Sequence, residues 1–389
     1  MATIARINGY QDELVAIRHD LHAHPEIGFE EHRTSDIVAK LLEGWGIKVH
    51  RGLGGTGVVG ELTGKHNGNK RIGLRADMDA LPILEATGLP YASKYPGKMH
   101  ACGHDGHTTM LLGAARYLAE TRDFAGTAVF VFQPAEEGLG GARAMLKDGL
   151  FEKFPCDEIY GMHNAPNRMP GRVSVFPGAA MAGADFFDIT VKGRGSHGAR
   201  PQESRDPIIA ITAIAQAMQT IVSRNVHPQQ AAVVSVTQIH AGAAYNVIPA
   251  EAVISGTVRA FSDSVRTQVK KRMTEIANGI AAAFEVEVKV DVRDVFTVLE
   301  NHPEQSEAYA DVAREIAGAE NVSTKAEPVM GSEDFADMLR AVPGAYCWVG
   351  HSGDKPVHNP EYTFDDAMIP LGASVMARII EKRLKATGA

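Results

Sequence analysis

Short apolar runs followed at once by polar chemistry recur along this chain. Arg71-Ile72-Gly73-Leu74-Arg75-Ala76 runs into Asp77 and Asp79, and Ala128-Val129-Phe130-Val131-Phe132 into Gln133-Pro134-Ala135-Glu136-Glu137. Glu158-Ile159-Tyr160-Gly161-Met162 runs into His163, and Ala345-Tyr346-Cys347-Trp348-Val349 into Gly350-His351, with His358 shortly beyond. Near-continuous apolar runs alternating with helical segments such as 108–121 predict an α/β fold with a buried, largely parallel sheet. Ligands of such sheets collect at the carboxyl ends of the strands. Four runs deliver His, Asp or Glu to that one edge, which solvated surface charge would not do.

Around this frame, Ile4, Ile7, Leu14, Ile17 and Leu21 share a face at helical spacing, predicting a helix over 4–23 that stops before Pro25. A second helix is expected over 34–43, ending at Gly44 and Gly46. Between the third and fourth runs the pattern changes. Strands over 186–191, 232–239, 252–260 and 286–292, with helices over 207–223 and 265–284, give the order β-α-β-β-α-β of a ferredoxin-like arrangement. The expected organisation is therefore an interrupted main domain, 1–182 and 294–389, around an inserted domain, 183–293. Alternating strands at the edge of the insert could pair with another subunit. Helices over 303–317, 333–340 and 366–385 return the chain to the main domain.

The segment Gly52-Leu53-Gly54-Gly55-Thr56-Gly57 matches G-x-G-x-x-G, with Asp77 at the distance of a ribose-binding acid. A dinucleotide site needs the third glycine to open a helix, yet Val58-Val59-Gly60-Glu61-Leu62 is β-like, so a glycine-rich hairpin is expected instead.

Composition narrows the classes. With 389 residues, 44% hydrophobic and 22% charged, the chain has the makeup of an ordinary globular protein, and a net charge of -8 argues against nucleic acid as a partner. Small-molecule partners are expected. Neither a signal-like h-region nor an apolar run of membrane-spanning length is found, so a cytoplasmic location with no membrane association is expected. Three cysteines in a chain of this size make no disulfide framework and fit a reduced compartment with one functional thiol.

That thiol lies in the densest chemistry of the chain, Met99-His100-Ala101-Cys102-Gly103-His104-Asp105-Gly106-His107. Cys102 and His104, two apart, can aim at one ion from an extended loop, whereas on a helix they would diverge. His22 and His24 form another H-x-H pair, but at a helix end they are expected to cap carbonyls.

The motifs MHACGHDGHT, FQPAEEG, GMHN, GSHGARP, NVIP, GTVRAF, GSEDF and PVHNP occur in this order over nearly the whole chain. Together they resemble the metal-dependent amidohydrolases of the M20 peptidase clan, in particular the hippurate hydrolase and auxin-conjugate hydrolase branch. The resemblance implies cleavage of the amide bond of N-acyl amino acids to amino acid and carboxylic acid. It implies a metallopeptidase-like catalytic domain with a binuclear centre, and a smaller dimerisation or lid domain that makes the protein a homodimer or higher homo-oligomer. Carried over residue by residue, the ligands are Cys102, His104, Glu137, His163 and His358, serving two divalent ions of the Zn, Mn, Co or Ni kind. Five ligands suffice for two ions only if one bridges, and Cys102 stands where the wider clan has a bridging aspartate.

The resemblance assigns Glu136 as the general base that takes a proton from the metal-activated water and returns it to the leaving amine. His197 is assigned to the tetrahedral oxyanion, in its own or a partner subunit's site. Asn246 and Arg259 are assigned to the substrate's oxyanion and α-carboxylate. Where the peptidase branches have H-x-D, this chain has Asp77-Met78-Asp79, so Asp77 is not assigned as a ligand and Asp79 is expected to orient a ligand histidine. Gly331-Ser332-Glu333-Asp334-Phe335 reads either as a helix N-terminus for an anionic group or as a simple cap, and His107 as structural. The rival readings are a dipeptidase or aminopeptidase of the same clan, which Cys102 and Asp77 disfavour, and a non-catalytic binding or dimerisation protein, which Glu136 and five ligand candidates disfavour. No G-x-S-x-G elbow supports a serine hydrolase.

Overall fold

A computed structural model describes residues 1–386, and in it the chain divides into two compact units. The first comprises Met1–Gly178, Glu300–Glu327 and the segment from Asp334 onward; the second comprises Ala179–Leu299 and Pro328–Glu333.

The first unit is built on strands β1 (Lys48–Leu53), β2 (Gly57–Thr63), β3 (His66–Asp77), β4 (Ala125–Gln133) and β5 (Glu158–Ala165). They lie in an eight-stranded sheet in the order β1-β2-β4-β3-β5, continued by Gly344–Gly350, Val173–Ser174 and Val322–Ser323. The glycine-rich segment is the antiparallel hairpin β1–β2, with no helix after its third glycine. From β4 through β3 and β5 to Gly344–Gly350 every pairing is parallel. Register places Asp77 opposite Gln133 and Gly350 opposite Ala165, so these four strands end along one edge.

All seven residues of Gly344–Gly350 are buried, as the uninterrupted apolar runs require. One sheet face buries Leu74, Phe130, Tyr160 and Cys347 with Leu111, Leu118, Ala373 and Met376, the last four from helices His104–Thr121 and Ile369–Arg383. Each large side chain so buried contributes about 1.5–3 kcal/mol. The helix expected over 4–23 is instead two, Ala5–Asn8 and Gln11–Ala23, because the poor helix formers Asn8 and Gly9 interrupt it. The helix after the cysteine loop begins at His104 rather than at 108, since Gly103 (φ +91°) makes the left-handed turn into it.

The second unit holds four antiparallel strands in the order Ala232–Ala241, Glu251–Ala260, Gly183–Lys192, Glu287–Phe296, the ferredoxin-like arrangement. Helices Pro207–Thr220 and Asp263–Phe284 cover one face, packing Ile211, Ile214, Val269 and Met273 on Phe187, Ile189, Ile254 and Val258. Asp206 caps the first helix, accepting from the Ile208 amide at 2.8 Å, and Pro207 opens it. A π-helical turn, Ile221–Asn225, extends that helix.

Candidate metal centre

At the carboxyl edge of the parallel strands of the first unit, three backbone irregularities present side chains to one place. Gly103 separates Cys102 from His104, Ala135 (φ +53°) precedes the Glu136-Glu137 pair, and His358 itself has φ +65°. Left-handed conformations at non-glycine residues are costly and persist where surrounding structure enforces them, commonly at functional sites. His163 comes from the end of β5.

The structure brings together all five ligand candidates and Glu136. Cys102, His104 and His163 have donor atoms within 4.8 Å of one another, and so do Cys102, Glu137 and His358; His104, Glu136 and Glu137 form a third such group. The first two triads share Cys102. Its Sγ lies 3.3 Å from His163 Nε2, and Glu137 Oε1 lies 3.2 Å from His358 Nε2 and 3.9 Å from His104 Nε2.

Two histidines are oriented by neighbours that leave one ring nitrogen for the site. His163 Nδ1 faces the Asn164 carbonyl at 2.6 Å, and His104 Nδ1 faces Asp79 Oδ1 at 3.2 Å. The other oxygen of Asp79 accepts the Glu137 amide at 2.9 Å, so Asp79 orients one ligand and fixes the backbone of another.

The donor set fits a divalent cation. His104 Nε2 and Glu137 Oε1 are buried without any hydrogen bond, a costly state unless a ligand satisfies them. Burial opposes charge on His104, yet Asp77 and Asp79 push its imidazole up to about 10. Burial, then Glu137, Glu136 and Asp77, hold the Cys102 thiol well above its usual range. The pocket thus carries surplus negative charge, and its thiol becomes a thiolate only with a cation to stabilise it. Cys, His and Glu together suit Zn and its first-row neighbours.

Asp77 also groups with His104 and His107, but its oxygens are engaged elsewhere. Oδ1 faces His107 Nδ1 at 2.6 Å and Oδ2 accepts from Arg75 at 2.7 Å. Burial alone would raise its carboxyl, but His104, Arg75 and His107 hold it well below the usual range. Asp334 is also engaged, accepting from the Ala142 amide at 2.9 Å and from Gln133 at 2.7 Å.

His197, Asn246 and Arg259 belong to the second unit. His197 pairs with Val247 in a short ladder, and the Gly198 amide donates to the Asn246 carbonyl at 2.7 Å, so the first two sit on adjoining exposed segments. His197 Nδ1 accepts the Ala199 amide at 3.0 Å, which leaves Nε2 as the donor. Arg259 is half-buried and bonded to the hydroxyls of Ser332 (2.6 Å) and Thr257 (3.2 Å). It has no carboxylate at ion-pair distance among the described residues, and burial lowers its pKa.

Sequence reasoning missed several buried polar residues around the centre. His24 does cap a carbonyl, that of Asp20 at 2.7 Å, but His22 lies between Asp105 (2.9 Å) and Glu85 (3.3 Å). Arg18, fully buried, also pairs with Asp105 at 3.0 Å. Asn164, Tyr362 and His351 form a further buried group. Asn164 at least was visible, as the last residue of the GMHN motif.

Residues 73–382 match peptidase family M20/M25/M40. The chain is 45% identical over 385 residues to a hippurate hydrolase of Campylobacter jejuni, covering 99% of this chain and 100% of that protein. It is 38% identical over 392 residues to an IAA-amino acid hydrolase of Arabidopsis thaliana, covering 98% and 88%. Among solved structures, a dinuclear metal binding peptidase of the M20 family from Bacillus subtilis superposes with a TM-score of 0.85 at 34% identity, covering 98% and 100%.

Proposed function

The chain belongs to peptidase family M20/M25/M40, and from that premise we propose that it is a metal-dependent amidohydrolase that cleaves N-acyl amino acids to amino acid and carboxylic acid. The observation that carries this reading is the pair of donor triads meeting at Cys102 with Glu136 beside them. The names of the Campylobacter and Arabidopsis relatives, hippurate hydrolase and IAA-amino acid hydrolase, support a substrate with a blocked amine over a free peptide.

Cys102, His104 and His163 would hold one divalent ion and Cys102, Glu137 and His358 a second, with Cys102 common to both; Zn, Mn, Co and Ni all suit the set. Bound there, the ions supply Lewis acidity that acidifies water and polarises the scissile carbonyl. Glu136, buried and next to a ligand, takes the proton from the attacking water and delivers it to the leaving nitrogen. Asp79 keeps His104 in the tautomer that offers Nε2. His197 is assigned to the developing oxyanion through its Nε2 hydrogen, and Asn246 supports it. Arg259, with no carboxylate at ion-pair distance among the described residues, is assigned to the substrate's α-carboxylate.

The second unit is further assigned a dimerisation or lid role. Its outer strand Ala232–Ala241, the turn after it and the neighbouring ladder expose Ile239, Tyr245 and Val247, an apolar edge suited to a second copy. Light scattering in solution tests this, and a monomer at all concentrations would refute it. Among the described residues no helix is long and apolar enough to cross a membrane.

The deciding experiment is a hydrolysis panel of N-benzoyl, N-acetyl and indole-acyl amino acids beside dipeptides, repeated after chelation and after metal add-back. Turnover of the acyl amino acids that disappears with chelator and returns with metal is expected. Full activity in metal-free protein would overturn the mechanism, and preference for dipeptides with a free amine would overturn the substrate class.

A further inference from the structure

Asn164 follows the ligand His163 at the end of β5 and is almost fully buried. A side-chain amide has two N–H donors and an acceptor oxygen, and both donors and the oxygen are engaged here. Nδ2 donates to the backbone carbonyl of Cys102 at 2.6 Å and to His107 Nε2 at 3.0 Å. Oδ1 accepts from Tyr362 Oη at 2.7 Å and faces His351 Nε2 at 2.8 Å. The backbone amide of Asn164 donates to the same His107 nitrogen at 3.0 Å, and its carbonyl takes His163 Nδ1 at 2.6 Å.

These partners come from every segment that delivers a ligand except the Glu137 loop. Cys102 and His163 are ligand candidates themselves. Tyr362 lies four residues beyond His358, and the His358 amide donates to the Ala101 carbonyl at 2.7 Å, so the His358 loop rests on the same stretch that Asn164 holds. His107 accepts both Asn164 donors at Nε2, so its Nδ1 hydrogen goes to Asp77, which links the amide to Arg75 in the sheet. Packing around Gly103 is correspondingly close. A Cβ there would come within 2.4 Å of Asn164 Nδ2 and 2.6 Å of Tyr362 Oη.

We propose that Asn164 is the positioning residue that sets the spacing of Cys102, His163 and His358, so that its amide polarity governs how tightly this centre holds metal. The proposal rests on the metal centre assigned above. Aspartate has the same shape but lacks both donors, and in its place would turn carboxylate oxygens toward the Cys102 carbonyl and His107 Nε2. Removing groups that orient ligands typically costs about 10- to 100-fold in metal affinity.

The test titrates cobalt(II) chloride into the metal-stripped full-length protein and follows absorption, since a thiolate on cobalt gives a near-ultraviolet charge-transfer band. Wild type is expected to bind with that band. Asn164→Asp, folded by circular dichroism, is expected to bind about tenfold or more weakly and with a shifted band. A folded Asn164→Asp with wild-type affinity and spectrum would overturn the positioning role while leaving the centre intact. A wild type that binds no cobalt, or binds it without the thiolate band, would overturn the centre and the proposal together. Should Asn164→Asp not fold, Tyr362→Phe decides, as it removes one anchor of the amide and leaves Asn164 in place. Weakened cobalt binding in that variant supports the proposal, and unchanged binding and spectrum overturn it.

Discussion

Asp79 holds His104 through one carboxylate oxygen, 3.2 Å from Nδ1, and its other oxygen accepts the Glu137 amide at 2.9 Å. Both contacts require an acceptor, so an asparagine serves only one of them. Asp79→Asn is expected to weaken metal binding by about 10- to 100-fold, read by competition with a chromophoric chelator. Unchanged affinity would show that the histidine is oriented by something else.

The adjacent glutamates are expected to separate in mutagenesis. Glu136→Gln retains metal and lowers kcat by about two to four orders of magnitude, the usual range for loss of a general base. Glu137→Gln loses metal first, and activity follows the metal content. Metal analysis beside steady-state kinetics distinguishes the two, and wild-type turnover in Glu136→Gln would remove that residue from proton transfer.

Cys102 belongs to both donor triads, so its replacement affects the whole centre. Cys102→Ser puts a neutral hydroxyl where an anionic ligand is needed and is expected to lower affinity about tenfold or more. Cys102→Asp restores the charge and is expected to bind metal more tightly than the serine variant. Equal affinity of wild type and Cys102→Ser would exclude the thiolate as a ligand.

Gly103→Ala is expected to lose metal affinity and about 1–3 kcal/mol of stability, measured by urea denaturation. The new methyl meets Asn164 and Tyr362, and φ +91° strains any residue with a side chain. An alanine variant with wild-type stability would mean that the loop relaxes freely.

Acid stability is expected to depend on Glu158, at the start of β5. Burial alone would raise its carboxyl, but hydrogen bonds from Arg383, Lys70 and Tyr160, each at 2.7 Å, bring it down to about 2. A depressed carboxylate stabilises the fold above its unfolded pKa, near 4.5, and loses that contribution as pH falls toward 2. Glu158→Gln is therefore expected to cost about 3 kcal/mol near pH 7, with the gap from wild type closing between about pH 4.5 and 2. A gap independent of pH would refute the electrostatic origin.

Much of the first unit could be read from the chain because its parallel strands are buried on both faces and so stand out as apolar runs ending in polar residues. The same rule brought Glu136, Glu137, His163 and, somewhat beyond its run, His358 to one edge, and the resemblance gave them their roles. What stayed hidden is polar contact between distant segments. Nothing near Asn164 in the chain says that its amide meets Cys102, His351 and Tyr362, and nothing near His22 points to Asp105. Helix ends were missed where local backbone chemistry prevails, as at Gly9 and Gly103.

The scattering of the five donors along the chain also fixes a timetable. A ribosome delivers Cys102, His104, Glu137 and His163 first, then the whole of the second unit's main segment, and only afterwards the strand and loop that carry His358. Until then the triad of Cys102, Glu137 and His358 lacks a member, and the tyrosine that anchors Asn164 has not been made. Domains of growing chains fold as they emerge, so the inserted unit has its chance to fold while the centre beside Cys102 is still incomplete. In the assignment proposed above, only the triad that includes His358 would wait for the C-terminal segment, so its completion would report that the first unit has closed around that segment.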